Sequence, residues 1–168
     1  MKSVFTAFIL LLTQSVLAHA GEVASDHNVS ITISPFHLLC PELHVTSELR
    51  LAPKMSVAAM LGVGRITDEG KTCNIREAGG QFRYYLFGSF DHGMMIGADA
   101  GYVDIDAQIE NPIAYLVGAH AGGFLGYKYS MKIGFTAEIQ IGPIYLWGES
   151  AETSELQTLE SFKVGWSF

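Results

Sequence analysis

A chain of 168 residues with a formal net charge of −7 and only 10 Lys plus Arg lacks the basic surface that nucleic-acid binding requires. Its 49 % hydrophobic and 16 % charged residues exclude a disordered chain. The 18 Gly, 10 Phe and 7 Tyr point to strands rather than helices.

The first segment reads as an address. Lys2 is followed by an apolar run from Val4 to Leu17, and Ala18-His19-Ala20 places small residues where a signal peptidase reads. Cleavage is expected between Ala20 and Gly21. Thr13, Gln14 and Ser15 interrupt the run, which argues against an uncleaved membrane helix. Removal of residues 1–20 leaves 148 residues, one domain, and takes away Lys2, so the mature chain is one unit more negative than −7. Residues 21–28 form a short N-terminal segment ahead of the domain at 29–168. No later segment approaches the roughly 18 to 20 unbroken apolar residues of a membrane helix.

From residue 29 the pattern changes to period two. Strands are expected near 29–36, 42–51, 55–66, 81–90, 94–103, 113–128, 132–147 and 161–168. Ala52-Pro-Lys54, Asp91-His-Gly93 and Tyr129-Ser-Met131 are expected as tight turns. Residues 67–80, 104–112 and 148–160 read as longer polar loops, while the first connection, His37 to Pro41, is short. Short turns alternating with longer loops are what transmembrane barrels show.

The faces separate along each strand. In the second, Leu43, Val45, Leu49 and Leu51 oppose Glu42, His44, Thr46, Glu48 and Arg50. In the fourth, Phe82, Tyr84 and Leu86 oppose Gln81, Arg83 and Ser89. In the seventh, Ile133, Phe135, Ala137, Ile139 and Ile141 oppose Lys132, Thr136, Glu138 and Gln140. Periodicity alone does not say which face is inside. Glycine does: Gly62, Gly64, Gly97, Gly101, Gly118, Gly122, Gly126, Gly134, Gly142 and Gly165 share the polar face, with Gly88 and Gly123 as exceptions. Glycine weakens a strand, so its concentration there needs a reason. A narrow barrel filled by long charged side chains supplies one. Two aromatic belts are expected, one from Phe82, Tyr84, Tyr102, Tyr115, Tyr145 and Trp147, the other from Phe90, Tyr127, Tyr129, Trp166 and Phe168.

The last strand carries a resemblance. Phe162, Val164, Trp166 and Phe168 share one face, and the segment ends flush on an aromatic residue. It resembles the C-terminal sorting signal of bacterial outer-membrane barrels, which the barrel-assembly machinery reads. Over residues 29–168 the chain resembles the small OmpA-like and OmpX-like barrels, without the peptidoglycan-binding domain of full-length OmpA-like proteins. The resemblance implies an all-β fold: an eight-stranded antiparallel transmembrane up-and-down β-barrel. It also implies the outer membrane of a Gram-negative bacterium, with outer-membrane lipids and lipopolysaccharide as surroundings. No cofactor is implied, and no partner of the external loops can be named.

The expected lumen residues are Glu42, His44, Glu48, Arg50, Arg83, Asp99, His120, Lys128, Lys132, Glu138 and Lys163. Charges in a low-dielectric interior must pair or be hydrated, so an ion-pair plug is expected ahead of a gated pore. Cys40 and Cys73 fall in external connections on one side of the barrel. In an exported chain they are candidates for a disulfide, worth about 3 to 4 kcal/mol through loop entropy. Asp68, Glu69, Glu77, Asp104, Asp106, Glu110, Glu149, Glu152, Glu155 and Glu160 read as solvated loop charge, since their spacing matches no calcium loop. A lipid-acting enzyme is the lesser reading. The His-x-Ser pair of the lipid A 3-O-deacylases is absent, and Ser34 and His37 point to opposite faces of a regular strand. The expectation is therefore a structural, envelope-integrity or adhesion role through the loops. A narrow pore or small apolar-solute conduit is the alternative.

Overall fold

Strands rich in β-branched and aromatic residues cannot leave their backbone groups unpaired, and a sheet closed on itself leaves no edge. The computed structural model takes that solution; it describes residues 26–35, 42–68, 71–107, 115–148 and 155–168. The strands are β1 (Val29–Ile33), β2 (Glu42–Ala52), β3 (Met55–Asp68), β4 (Lys71–Gly88), β5 (His92–Ala107), β6 (Tyr115–Ser130), β7 (Phe135–Gly148) and β8 (Glu155–Ser167). Each pairs antiparallel with the next, and β8 pairs with β1 to close the barrel. The expected signal segment, its junction at Ala20 and Gly21, and Cys40 lie outside the described residues.

The strand count matches the expectation, but most boundaries move, four of them with consequences. β4 begins at Lys71 instead of residue 81, because β3 and β4 stay in register from Met55↔Tyr84 to Asp68↔Lys71. Residues 71–80 show no apolar alternation, and backbone pairing rather than side-chain pattern makes them a strand. β5 runs on to Ala107, and β8 starts at Glu155 instead of 161. β7 starts at Phe135, so Lys132 and Ile133 fall in the β6–β7 turn. Gly134 belongs to that turn as well, with a φ of +98° that side-chain-bearing residues avoid.

Three connections, β2–β3, β4–β5 and β6–β7, gather at one end of the barrel, which we call the turn end; the other is the loop end. Two bulges at the turn end reset the faces. Between Tyr85↔Met95 and Phe87↔Met94 an extra residue is inserted, so Tyr85 points inward while Phe87 points out. The second lies between Arg50 and Ala52. In β6–β7 the ladder lapses between Gly122↔Ile144 and Leu125↔Ile141. Pro143 sits in that gap, where its missing N–H disturbs no continuous ladder.

The faces follow the glycine argument. Ser30, Thr32, His44, Thr46, Glu48, Arg83, Lys128, Glu138 and Lys163 are buried, whereas Leu61 and Val63 are 64 % and 58 % exposed. Leu49, Ile96, Leu125, Ile139 and Ile141 are likewise exposed on the outer face. The barrel is polar inside and apolar outside. The aromatic belts need two corrections. Phe82 and Tyr84 stand toward the turn end because β4 begins earlier than expected, with Tyr84 opposite Met55. Phe90 is not on the outer face at all: it is fully buried in the lumen against Tyr85. Of the Tyr115 side chain nothing is described.

Candidate functional site: the barrel lumen

Alternation along each strand sends every second side chain into a space too narrow for long charged groups to act alone. They assemble in layers. At the centre Glu48 receives four donors: Ser56 Oγ at 2.5 Å, Tyr85 OH at 2.8 Å, Lys128 Nζ at 2.7 Å and Arg83 Nη1 at 2.9 Å. Arg83 Nη1 also reaches Glu138 Oε2 at 2.9 Å, and its Nε and Nη2 both donate to Gln81 Oε1. Gln140 donates to Glu138 Oε1 and accepts from Lys163 Nζ at 3.3 Å. Gln81 carries the chain onward by donating to Asp99 Oδ2 at 2.7 Å.

Arg83 is fully buried, and its planar fork explains why this position needs arginine rather than lysine. One guanidinium reaches two carboxylates and one amide at once. Such a set is favourable only when each buried charge keeps its partners. Below it, toward the turn end, Tyr85, Phe90 and Met95 pack with Phe124, and Lys128 Nζ lies 3.6 Å from the Phe90 ring centroid.

The turn end is closed by elements outside the expected network. Ser130, Thr136 and Ser167 join their hydroxyls at 2.6 to 3.2 Å. Across them lies the segment before β1: Asp26 N donates to Asp91 Oδ2 at 2.6 Å, and His27 Nδ1 lies 2.8 Å from Asp91 Oδ1. Asp91 belongs to the β4–β5 turn, so residues 26–28 act as a strap from β1 to that turn. Arg50, expected in the central network, instead donates to the His27 carbonyl at 3.3 Å. Replacing Asp91 with Ala is expected to cost about 1 to 3 kcal/mol, because two contacts across the lumen mouth are lost together. Urea unfolding of the refolded chain in micelles measures it; an unchanged midpoint would show that the strap adds nothing.

Toward the loop end the lumen opens into a cavity of about 240 Å³. His120 Nε2 stands 2.8 Å from Asp99 Oδ1 on its wall, and His44 Nε2 stands 3.7 Å from Glu77 Oε2. Ser161 and Lys163 lie on the inner side of this cavity, and Glu160 at its margin. Among the described residues no group of three or more His, Cys, Asp or Glu side chains is placed to hold a metal ion.

Of the expected lumen residues, Glu48, Arg83, Asp99, His120, Lys128, Glu138 and Lys163 are brought into one connected set. Glu42 and His44 face inward nearer the loop end. Lys132 does not join them: it is exposed in the β6–β7 turn. Gln81 and Gln140, the two amides that link the charges, share the inward parity of Arg83 and Glu138 but carry no charge to draw notice. Tyr85 continues the inward parity of Gln81 and Arg83, whereas Phe90 could not be placed without the bulge. Cys73 lies within β4, opposite Ile66 and Ala107, rather than in a loop; its expected bridge to Cys40 falls outside the described residues. Ser34 is buried with its Oγ donating to the Phe162 carbonyl, an arrangement that occupies the hydroxyl, and His37 lies outside the described residues.

No protein-family model, no curated protein and no solved structure matches this chain.

Proposed function

We propose that this chain is an outer-membrane barrel whose role is structural: an anchored scaffold that presents its loop end for envelope integrity or adhesion. The observation that carries the reading is the inversion of polarity. A water-soluble barrel hides its apolar side chains inside, whereas here Leu49, Leu61, Val63, Ile139 and Ile141 stand exposed around a charged lumen. A continuous belt of that kind exceeds the apolar patch a soluble monomer tolerates, and lipid is the solvent that suits it. The Arg83-centred network supports a scaffold over a channel, since eight strands leave an interior that side chains fill.

The test begins with fractionation of expressing cells. Recovery in the outer membrane, with gel mobility that changes on boiling, is the expected result. A periplasmic chain that stays monomeric without detergent would overturn the reading. The alternative of a narrow conduit is favoured by the cavity at the loop end, and planar-bilayer recording separates the two. The scaffold passes no resolved ionic current; steady current through the wild-type chain would establish the conduit.

A further inference from the structure

The outer face carries a second feature that the lumen does not use. In the hydrogen-bonding direction, Leu61, Ala78, Tyr102, Ala119 and Trp147 form one row of paired residues around the barrel. Tyr102 and Trp147 are exposed on it, as interfacial aromatics would be. The next outward-facing row toward the loop end, about 7 Å farther along each strand, contains Val63, Arg76 and Asp104, and the row beyond it contains Arg65 and Asn74. Arg65 and Arg76 are therefore diagonal neighbours on one face, both exposed, just past the aromatic row. On a chain of net charge −7 with only 10 Lys plus Arg, two adjacent outward arginines at this height stand out.

They border a groove. Beside Glu42, the first described residue of β2, an open groove of about 600 Å³ runs along β3 and β4. Leu43 and Val63 form its apolar side, and Arg65, Asn74 and Arg76 its polar side. Arg65 Nε donates to Asn74 Oδ1 at 2.9 Å, which fixes the guanidinium and leaves its two terminal nitrogens for another acceptor. Two acidic groups flank the arginines: Asp104 opposite Arg76 in register, half-buried, and Glu42 at the inner margin, buried and facing the lumen. Neither forms an ion pair with them among the described residues.

We infer that this groove holds a phosphate group of an outer-leaflet glycolipid. Arg65 and Arg76 take the phosphate oxygens, and the acyl chains lie down the barrel over Leu43, Leu61 and Val63. The inference rests on the outer-membrane reading above. Guanidinium matches phosphate geometry with paired hydrogen bonds, and the apolar wall directly below matches a lipid better than a soluble anion.

The experiment uses the full mature chain refolded in maltoside micelles, which contain no phosphate. Bisphosphoryl lipid A is titrated and bound lipid is read by native mass spectrometry. Wild type is expected to bind it about tenfold or more tightly than the R65Q/R76Q variant, the loss of charge-assisted contacts. R65K/R76K should keep part of the affinity. K54Q/K132Q, which removes cations from the turn end, should leave it unchanged. Fully dephosphorylated lipid A should bind wild type as weakly as bisphosphoryl lipid A binds R65Q/R76Q. Equal binding by R65Q/R76Q, or equal binding of the dephosphorylated lipid, would overturn the inference. So would displacement of lipid A by equimolar inorganic phosphate, which would reassign the groove to a free anion. Heat-modifiable mobility of each sample keeps the two readings separable. A folded barrel with arginine-independent lipid binding sinks only the groove, whereas a wild-type chain that will not enter micelles sinks the membrane reading with it.

Discussion

Replacing Arg83 with Met is expected to lower unfolding stability by about 3 to 5 kcal/mol, the range seen when one partner is taken from a buried ion set. The loss comes from what stays behind. Glu48 keeps Lys128 at 2.7 Å together with Ser56 and Tyr85, so it remains held. Glu138 does not: among the described residues its remaining cation is Lys163 at 3.8 Å, and its other donor is Gln140. The cost therefore falls on Glu138, and the R83M/E138Q double variant should regain about half or more of the loss. R83K should fall between wild type and R83M, since one ammonium cannot reach Glu48, Glu138 and Gln81 together. Urea titration of the refolded barrel in micelles gives all four corners of the cycle. An R83M midpoint within error of wild type would show that water, rather than Arg83, compensates Glu138. Failure of E138Q to rescue would place the orphaned charge elsewhere.

How much of this could be read from the residues differs by strand, for a physical reason. In β2 and β7 one side chain in two is strongly apolar and the other strongly polar, so register and facing follow at once. Residues 71–80 of β4 offer no such contrast, because Arg76, Ala78 and Gly80 occupy the outward positions there, and pairing with β3 alone defines the strand. The charged pairs were legible as a set, since inward charges must meet, but not which atom meets which. Phe90 was misplaced because one inserted residue at the Tyr85–Phe87 bulge changes the parity that follows. Lys132 was misplaced because β7 begins after Gly134, whose positive φ belongs to a turn. The strap is a different kind of omission. Asp26, His27 and Asp91 meet only once the barrel has closed, and no local pattern encodes a contact across 64 or 65 residues.

The glycines give the sharpest remaining test, because two of them should respond with opposite sign to the same added methyl group. Gly142 faces inward on β7, beside the gap in the β6–β7 ladder. A Cβ there would meet the Gly123 carbonyl oxygen, Phe124 Cα at 2.6 Å and the Gly123 carbonyl carbon at 2.9 Å. Every one of these is backbone, so no rotamer change relieves the contact and β6 must move away from β7. In a closed barrel that displacement is passed to the neighbouring ladders, since there is no free edge to absorb it. Gly142→Ala is therefore expected to cost about 2 to 3 kcal/mol, the upper part of the overpacking range. Gly80 lies on β4, where the nearest atom to an added Cβ is the Ala58 carbonyl oxygen at 3.4 Å, an ordinary contact. Its φ is not in the left-handed region, so alanine should fit and also reduce the freedom of the unfolded chain. Gly80→Ala is expected to stabilise by about 0.5 to 1 kcal/mol. The same urea titration reads both variants, and the pair controls for any general effect of glycine removal on refolding. If both shift the midpoint the same way, strand propensity governs and the close β6–β7 approach does not. If Gly142→Ala alone destabilises, glycine is there for backbone proximity, which is what a barrel this narrow demands of the strands that carry its lumen network.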